Sequence, residues 1–166
     1  MDDIQRAKQF FSEMPLEVFQ IWIVPSVKCH GWKGVSIDEP LQEEWQGFFA
    51  DYAISFWKSA RWEFCSTPFD ANLFAPMSVQ RALWIVDHAT KGLKTPTADI
   101  HDSVQRFWAC AAFIKDNRKL PCPLVGCVTP DNSRIDLVDG HHRLAAAIHL
   151  GTTKTSKLPI WIALPK

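Results

Sequence analysis

The residues best suited to chemistry lie together in the C-terminal part of the chain, in Asp139-Gly140-His141-His142-Arg143. Ile135-Asp136-Leu137-Val138 before them alternates like a strand, and Leu144-Ala145-Ala146-Ala147-Ile148 after them reads as a helix. A glycine between strand and helix allows a sharp turn and lets a ligand approach the main chain. The first N–H groups of the helix lack intrahelical acceptors and sit at the positive end of the macrodipole, which suits phosphate. Arg143 adds a guanidinium fork for phosphate oxygens, and His141 and His142 add donors or a proton carrier near neutral pH. Asp139 has three open uses: to cap the helix, to hold a divalent cation or to position a water. An Asp-Gly turn before a helix is common, and a plain N-cap explains Asp139 alone. His-His-Arg in a first turn nevertheless opposes the dipole, and such local conflicts are where function tends to sit.

The elements that must position this turn are read from periodicity. Residues 2–14 predict an amphipathic helix with Ile4, Ala7, Phe10, Phe11 and Met14 on one side, stopped by Pro15. Phe19 to Val24 alternates well enough for a strand that Pro25 ends, and Lys28 to Asp38 predicts a loop or weak strand. Asp38-Glu39-Pro40 predicts a helix start, with Leu41, Trp45, Phe48, Tyr52 and Phe56 at helical spacing. Pro68 and Pro76 bracket a loop. Ser78 is expected to cap a helix ending at Gly92, and Thr97 another carrying Ile100, Val104, Phe107, Trp108, Ala111 and Ile114. Leu124–Val128 and Arg134–Val138 predict a hairpin around a Thr-Pro-Asp-Asn-Ser turn, followed by a helix from His141 to Leu150 and a last strand over Leu158–Ile162. One α+β domain over residues 1–166 is the expected class, a small mixed sheet with helices packed on it.

Composition bounds the function. The chain has 166 residues, enough to bury a core without staples, and 18 Lys+Arg balance 18 Asp+Glu. Zero net charge excludes coating of nucleic acid by bulk electrostatics, so any polyphosphate contact must be local. Five cysteines without framework spacing predict a reducing compartment. The N-terminus lacks signal-peptide character, and uncharged runs of about ten residues fall short of the ~18 a spanning helix needs. A cytoplasmic protein with no membrane insertion is expected. Eight Trp and eleven Phe are many for this length. Most should be core, and the remainder are candidate partner-binding anchors.

Leu137-Val138-Asp139-Gly140-His141-His142-Arg143-Leu144-Ala145-Ala146-Ala147, followed by Leu150-Gly151 and Leu158-Pro159-Ile160-Trp161-Ile162, resembles the signature of the ParB/sulfiredoxin superfamily. The resemblance covers residues 121–162. It implies a ParB/sulfiredoxin-like core there, with residues 1–75 a helical N-terminal elaboration. Superfamily members bind or hydrolyse nucleotides, reduce overoxidised cysteine, phosphorylate serine, cleave DNA or segregate plasmids, so fold alone does not choose. Sulfiredoxins carry a reactive Cys where this chain has His141, which argues against that activity. Partition proteins continue into a helix-turn-helix, whereas this chain ends 15 residues after Gly151. Serine kinases of the superfamily need an acidic base, and Glu39, Glu43, Glu44 and Glu63 offer no clear choice. The Asp-Gly-His-His-Arg form is similar to that of plasmid-encoded fertility-inhibition members, which are associated with ATPase and DNase activity and block DNA transfer by a secretion system. That likeness implies ATP, Mg²⁺, DNA and a coupling protein of the transfer machinery as partners. Asp139 would hold metal or orient water, His142 would act as acid/base or phosphate donor, Arg143 would offset transferring charge, and His141 would be a second donor. Gly140, His142 and Arg143 would bind the nucleotide. The alternative expectation is a non-catalytic, nucleotide-switched protein that docks a partner through its aromatic N-terminal half.

Two other constellations are weaker. Cys122-x4-Cys127 with His141 and His142 can be written as a zinc set, although the cysteines flank a strand and read better as buried thiols. Lys115, Arg118 and Lys119, then Lys154, Lys157 and Lys166, flank the motif in sequence. With Arg134 they are candidates to line a groove for a DNA backbone, with Trp161 near by for stacking. Gly-x-Gly-x-x-Gly, Walker and Gly-x-Ser-x-Gly patterns are absent from the sequence.

Overall fold

The structure, a computed structural model, describes residues 2–32, 48–49, 52–92 and 98–166. It is α+β, with a small mixed sheet of four strands in the order β1-β4-β2-β3. Helix α1 spans Asp3–Phe10; α2, Leu16–Val18, and α3, Val24–His30, are joined by a π-helical turn, Phe19–Ile23; α4 is Ile54–Ser59. Strand β1 is Arg61–Thr67, succeeded by α5, Pro76–Lys91, and α6, Ala98–Asn117. Then come β2, Leu124–Val128, β3, Ile135–Asp139, α7, His141–His149, and β4, Leu158–Leu164. The chain gathers into two compact units, Met1–Glu63 with Ile162–Lys166 and Phe64–Trp161.

In the first unit the expected opening helix is present. Asp2 accepts from the Gln5 N–H at 2.8 Å while the Gln5 side chain accepts from the Asp2 N–H, a complete capping box. The strand expected over Phe19–Val24 is instead helical. A segment apolar on both faces also suits a buried helix, and Phe19, Trp22 and Ile23 are all buried. Pro25 does not end this segment. A proline inside an α-helix clashes with the carbonyl four residues back, and the wider π turn just before Pro25 relieves that clash. The loop expected from Lys28 begins later, because α3 continues to His30 and stops at Gly31 with φ +73°. Residues 33–47, including Glu39, Glu43, Glu44, Trp45 and the expected helix start, lie outside the described residues. The helical spacing expected to run unbroken through Phe56 is interrupted: Tyr52 is in a bend, and Ala53 opens α4. Phe11, Trp22, Phe49 and Trp57 form the core of this unit, with Trp22 and Trp57 edge-to-face at 4.8 Å. The Trp57 indole N–H donates to the Phe49 carbonyl at 3.1 Å. These N-terminal aromatics are therefore packed inside the unit, and the most exposed tryptophans of the described residues, Trp84 and Trp108, belong to the second.

In the second unit α5, α6 and α7 pack on one another, and α5 and α7 reach β3 and β2. The hairpin is antiparallel, with Cys127 opposite Asp136 and Val128 opposite Ile135. Between Val125 and Gly126 the register shifts, so Val125 faces Asp139 while Gly126 faces Leu137. This bulge leaves Val138 as the extra residue and re-aims the strand end that carries Asp139. Gly126 makes it possible, since a Cβ there would lie 2.8 Å from the Asp136 carbonyl oxygen. Ser78 is not the cap of α5. Ala75 occupies that position, and Ser78 is buried inside the first turn. Its hydroxyl donates to Asp136 Oδ1 at 2.8 Å and accepts from the Leu137 N–H at 2.9 Å, while the Ala75 N–H donates to the Ile135 carbonyl at 2.7 Å. The start of α5 thus covers the outer edge of β3. Gly92 ends α5 with φ +71° as expected, and Thr97 lies outside the described residues. On α6, Phe107, Ala111 and Ile114 are buried, but Trp108 faces solvent. No helix among the described residues is long and apolar enough to cross a membrane.

Candidate functional site

The strand–turn–helix is present in the expected order. Gly140 has φ +102°, which favours glycine, and it precedes α7 without any side-chain cap. A Cβ on Gly140 would lie 2.6 Å from Leu124 Cδ2 and 3.0 Å from Arg143 Nη2. Glycine is required here twice, for the turn and for the guanidinium that folds back across it.

Asp139 is therefore not the N-cap. Its Oδ2 accepts from Arg143 Nη2 at 2.5 Å, and the same nitrogen donates to the Pro123 carbonyl at 3.1 Å. Arg143 ties the end of β3, the start of α7 and the segment before β2 into one clamp. The pair is largely enclosed, and Arg143 Nε is buried with no hydrogen-bond partner among the described residues. An orphaned buried N–H on a guanidinium is a donor waiting for an acceptor.

The conflict between His-His-Arg and the helix dipole is resolved by neutrality. His141 is 8% exposed. Its burial, with smaller contributions from Arg81, His142 and Arg143, pushes its pKa down to about 3. His142 is also pushed down, by burial first and then by Arg106 and Arg81, against opposing pulls from Asp139 and Asp102. Both imidazoles are neutral at pH 7. His142 Nε2 lies 2.7 Å from the Ser103 hydroxyl.

A cavity of about 270 Å³ opens at the turn, lined by Asp139, Gly140, His142 and Arg143 together with Arg106 and Cys110 from α6. His141 is buried and is not among its walls. Burial raises the Cys110 pKa, with Arg143 pulling it down less strongly, so this thiol is protonated and a poor nucleophile. Ser103, Arg106 and Cys110 stand at i, i+3 and i+7, one stripe of α6, and the stripe's break from apolar character is the signal in the sequence that marks them.

The other expected site residues are dispersed. Lys157 lines a separate, larger cavity, Arg134 lines a pocket with Asp131 and Thr129, and Lys154 lies on a 3₁₀ turn, Thr152–Lys154, lining neither. Trp161 packs against Phe64 at 5.2 Å. Among the described residues no three His, Cys, Asp or Glu gather to hold a metal, and Cys127 is buried with its thiol 3.8 Å from the Asp136 carbonyl. The zinc set is therefore not assembled among them. No family model matches this chain, and no match is found among curated proteins or solved structures.

Proposed function

We propose that residues 121–162 form a ParB/sulfiredoxin-like core that binds nucleotide phosphates at the Asp139–Arg143 turn and hydrolyses phosphoester bonds, as a cytoplasmic ATPase and DNase acting against conjugative DNA transfer. One observation carries the reading: two arginines, 106 and 143, a neutral His142 and an uncapped helix N-terminus converge on one cavity behind a left-handed glycine. Guanidinium groups and free N–H donors suit phosphate oxygens. A neutral His142 accepts the proton of the attacking water while the bond from phosphorus to the leaving oxygen breaks. Arg143 and Arg106 offset the charge that builds on the phosphoryl oxygens. Asp139 holds Arg143 in place. Mg²⁺ keeps most of its waters and leans on substrate phosphates, so the second oxygen of Asp139 is a sufficient protein contact; when bound, the ion would neutralise phosphate charge. His141 has a structural part only, as the neutral base of the turn.

The test is turnover of ATP and of DNA with Mg²⁺ by wild type, Arg143→Lys and His142→Gln. Wild type is expected to turn over, with each variant about 10²-fold slower. An acid limb is expected below pH 6.5, where His142 begins to hold a proton in the free state, displaced downward by its burial. Turnover equal in all three proteins would point to a contaminant, and none in wild type would leave the turn a binding switch. In that second case Trp84 and Trp108, both 45% exposed, are the aromatic anchors through which a partner would dock.

A further inference from the structure

The second unit holds another cavity, apart from the Asp139–Arg143 turn. It measures about 410 Å³, within the size range of small-molecule sites, and is bounded by the end of α6, residues 119–123 and residues 152–159. Arg118, Lys119 and Lys157 line it, and no Asp or Glu among the described residues does. None of the three forms an ion pair with a described residue, in a chain whose charges sum to zero and whose Arg61, Lys91, Arg106 and Arg143 are all paired. The hydroxyls of Ser66 and Ser156, also on the wall, make no hydrogen bond to a described residue. The floor is apolar, with Ile114 and Leu158 almost wholly buried.

The backbone adds an independent sign. Arg118 ends α6 with φ +58°, its N–H donating to the Ile114 carbonyl at 2.8 Å. Glycine or asparagine ordinarily fills that position, and a long side chain there is strained. Such strain is retained where the side chain is used.

We propose that this cavity is an anion site for a small phosphomonoester with an apolar body. A phosphomonoester brings two negative charges and three terminal oxygens, which match one guanidinium fork, two ammonium groups and two hydroxyls. A carboxylate would be satisfied by Arg118 alone. A DNA backbone presents single charges in a row and needs cations spaced along a track. Here the cations converge on one hollow, and Arg134 lies in another.

Phenyl phosphate is the probe, with benzoate and a DNA duplex as comparators, and calorimetry at low ionic strength reads binding to the full chain. Phenyl phosphate is expected to bind at least about tenfold more tightly than benzoate, and to lose about tenfold or more in Lys119→Gln/Lys157→Gln, whose side chains are exposed. Arg118→Gly is expected to lose affinity while melting no lower than wild type, because it relieves the left-handed residue; that opposition separates ligand binding from a structural role. Lys119→Gln/Lys157→Gln is expected to leave ATP turnover at the Asp139–Arg143 turn as in wild type, which keeps this result apart from the fate of that reading. Equal binding of phenyl phosphate and benzoate, or unchanged affinity in the lysine variant, would overturn the site. DNA that binds while phenyl phosphate does not, with loss in the same variants, would replace it with a nucleic-acid contact.

Discussion

The aromatic core of the first unit and the strand–turn–helix of the second are held by different kinds of force. Around Trp57, rings of Trp22, Phe56 and Trp62 meet at 4.8, 4.9 and 6.1 Å, and the energy lies in buried area with one indole hydrogen bond. Around Gly140, position depends on a few directed bonds: Arg143 to Asp139 and Pro123, and Ser78 to Asp136 and Leu137. Burial is non-directional and forgiving of shape, whereas a hydrogen bond either points at its acceptor or is lost. The first region can supply stability, and only the second can hold atoms where chemistry needs them.

Truncation should show the contrast at its largest. Trp57→Ala is expected to lose about 3–5 kcal/mol in urea unfolding, because it empties the centre of the ring cluster. A loss below about 1 kcal/mol would mean the cluster is not the unit's core. Gly140→Ala is expected to cost about 2–4 kcal/mol, from the left-handed φ and the collision with Leu124. It should also displace Arg143, so the nucleotide binding proposed for the turn should fall further than the stability loss alone explains; binding kept at full strength would show that the turn tolerates a side chain. Ser78→Ala leaves the buried Leu137 N–H without its acceptor and should cost about 1–3 kcal/mol.

Acid offers a gentler probe of the same turn. His141 takes a proton at about pH 6.5 when unfolded but only at about 3 when folded. Between those values the unfolded chain binds more protons, so stability falls as pH drops below 6.5 and levels off near 3. At pH 5.5 the loss is about 1.4 kcal/mol, and it should vanish from the pH dependence of His141→Gln. An identical pH dependence in the two proteins would place the acid sensitivity elsewhere. The smallest effect returns to the first unit: the Trp22 indole N–H is buried with no partner among the described residues, so Trp22→Phe should cost under about 1.5 kcal/mol. A larger cost would mean that ring shape matters there as much as direction does at the turn.

Much of the second unit was legible from sequence because its signals are local. The 124–128 and 135–139 strands, the Asp-Gly turn, the alanine-rich helix and the Gly92 stop each depend on neighbours within a few residues. Strand β1 gave no such signal. It lies at the sheet edge and alternates weakly, with Arg61 and Glu63 exposed and paired to each other. Phe19–Val24 misled for the opposite reason, since an apolar run buried on all sides has no period to read, and Pro25 looked like a stop until the π turn accommodated it.

The sequence by itself determined that Asp139, Gly140, His142 and Arg143 share one turn, since a tight turn is set by the residues in it. It also determined the absence of any excess charge. Tertiary structure alone decided the rest. Packing of α6 against α7 brought Ser103, Arg106 and Cys110 to the turn, and burial made both histidines neutral. The same folding drew Arg118 and Lys119 to Lys157, and sent Arg134 to another pocket. Desolvation and convergence depend on which distant segments pack together, and no run of neighbouring residues carries that information.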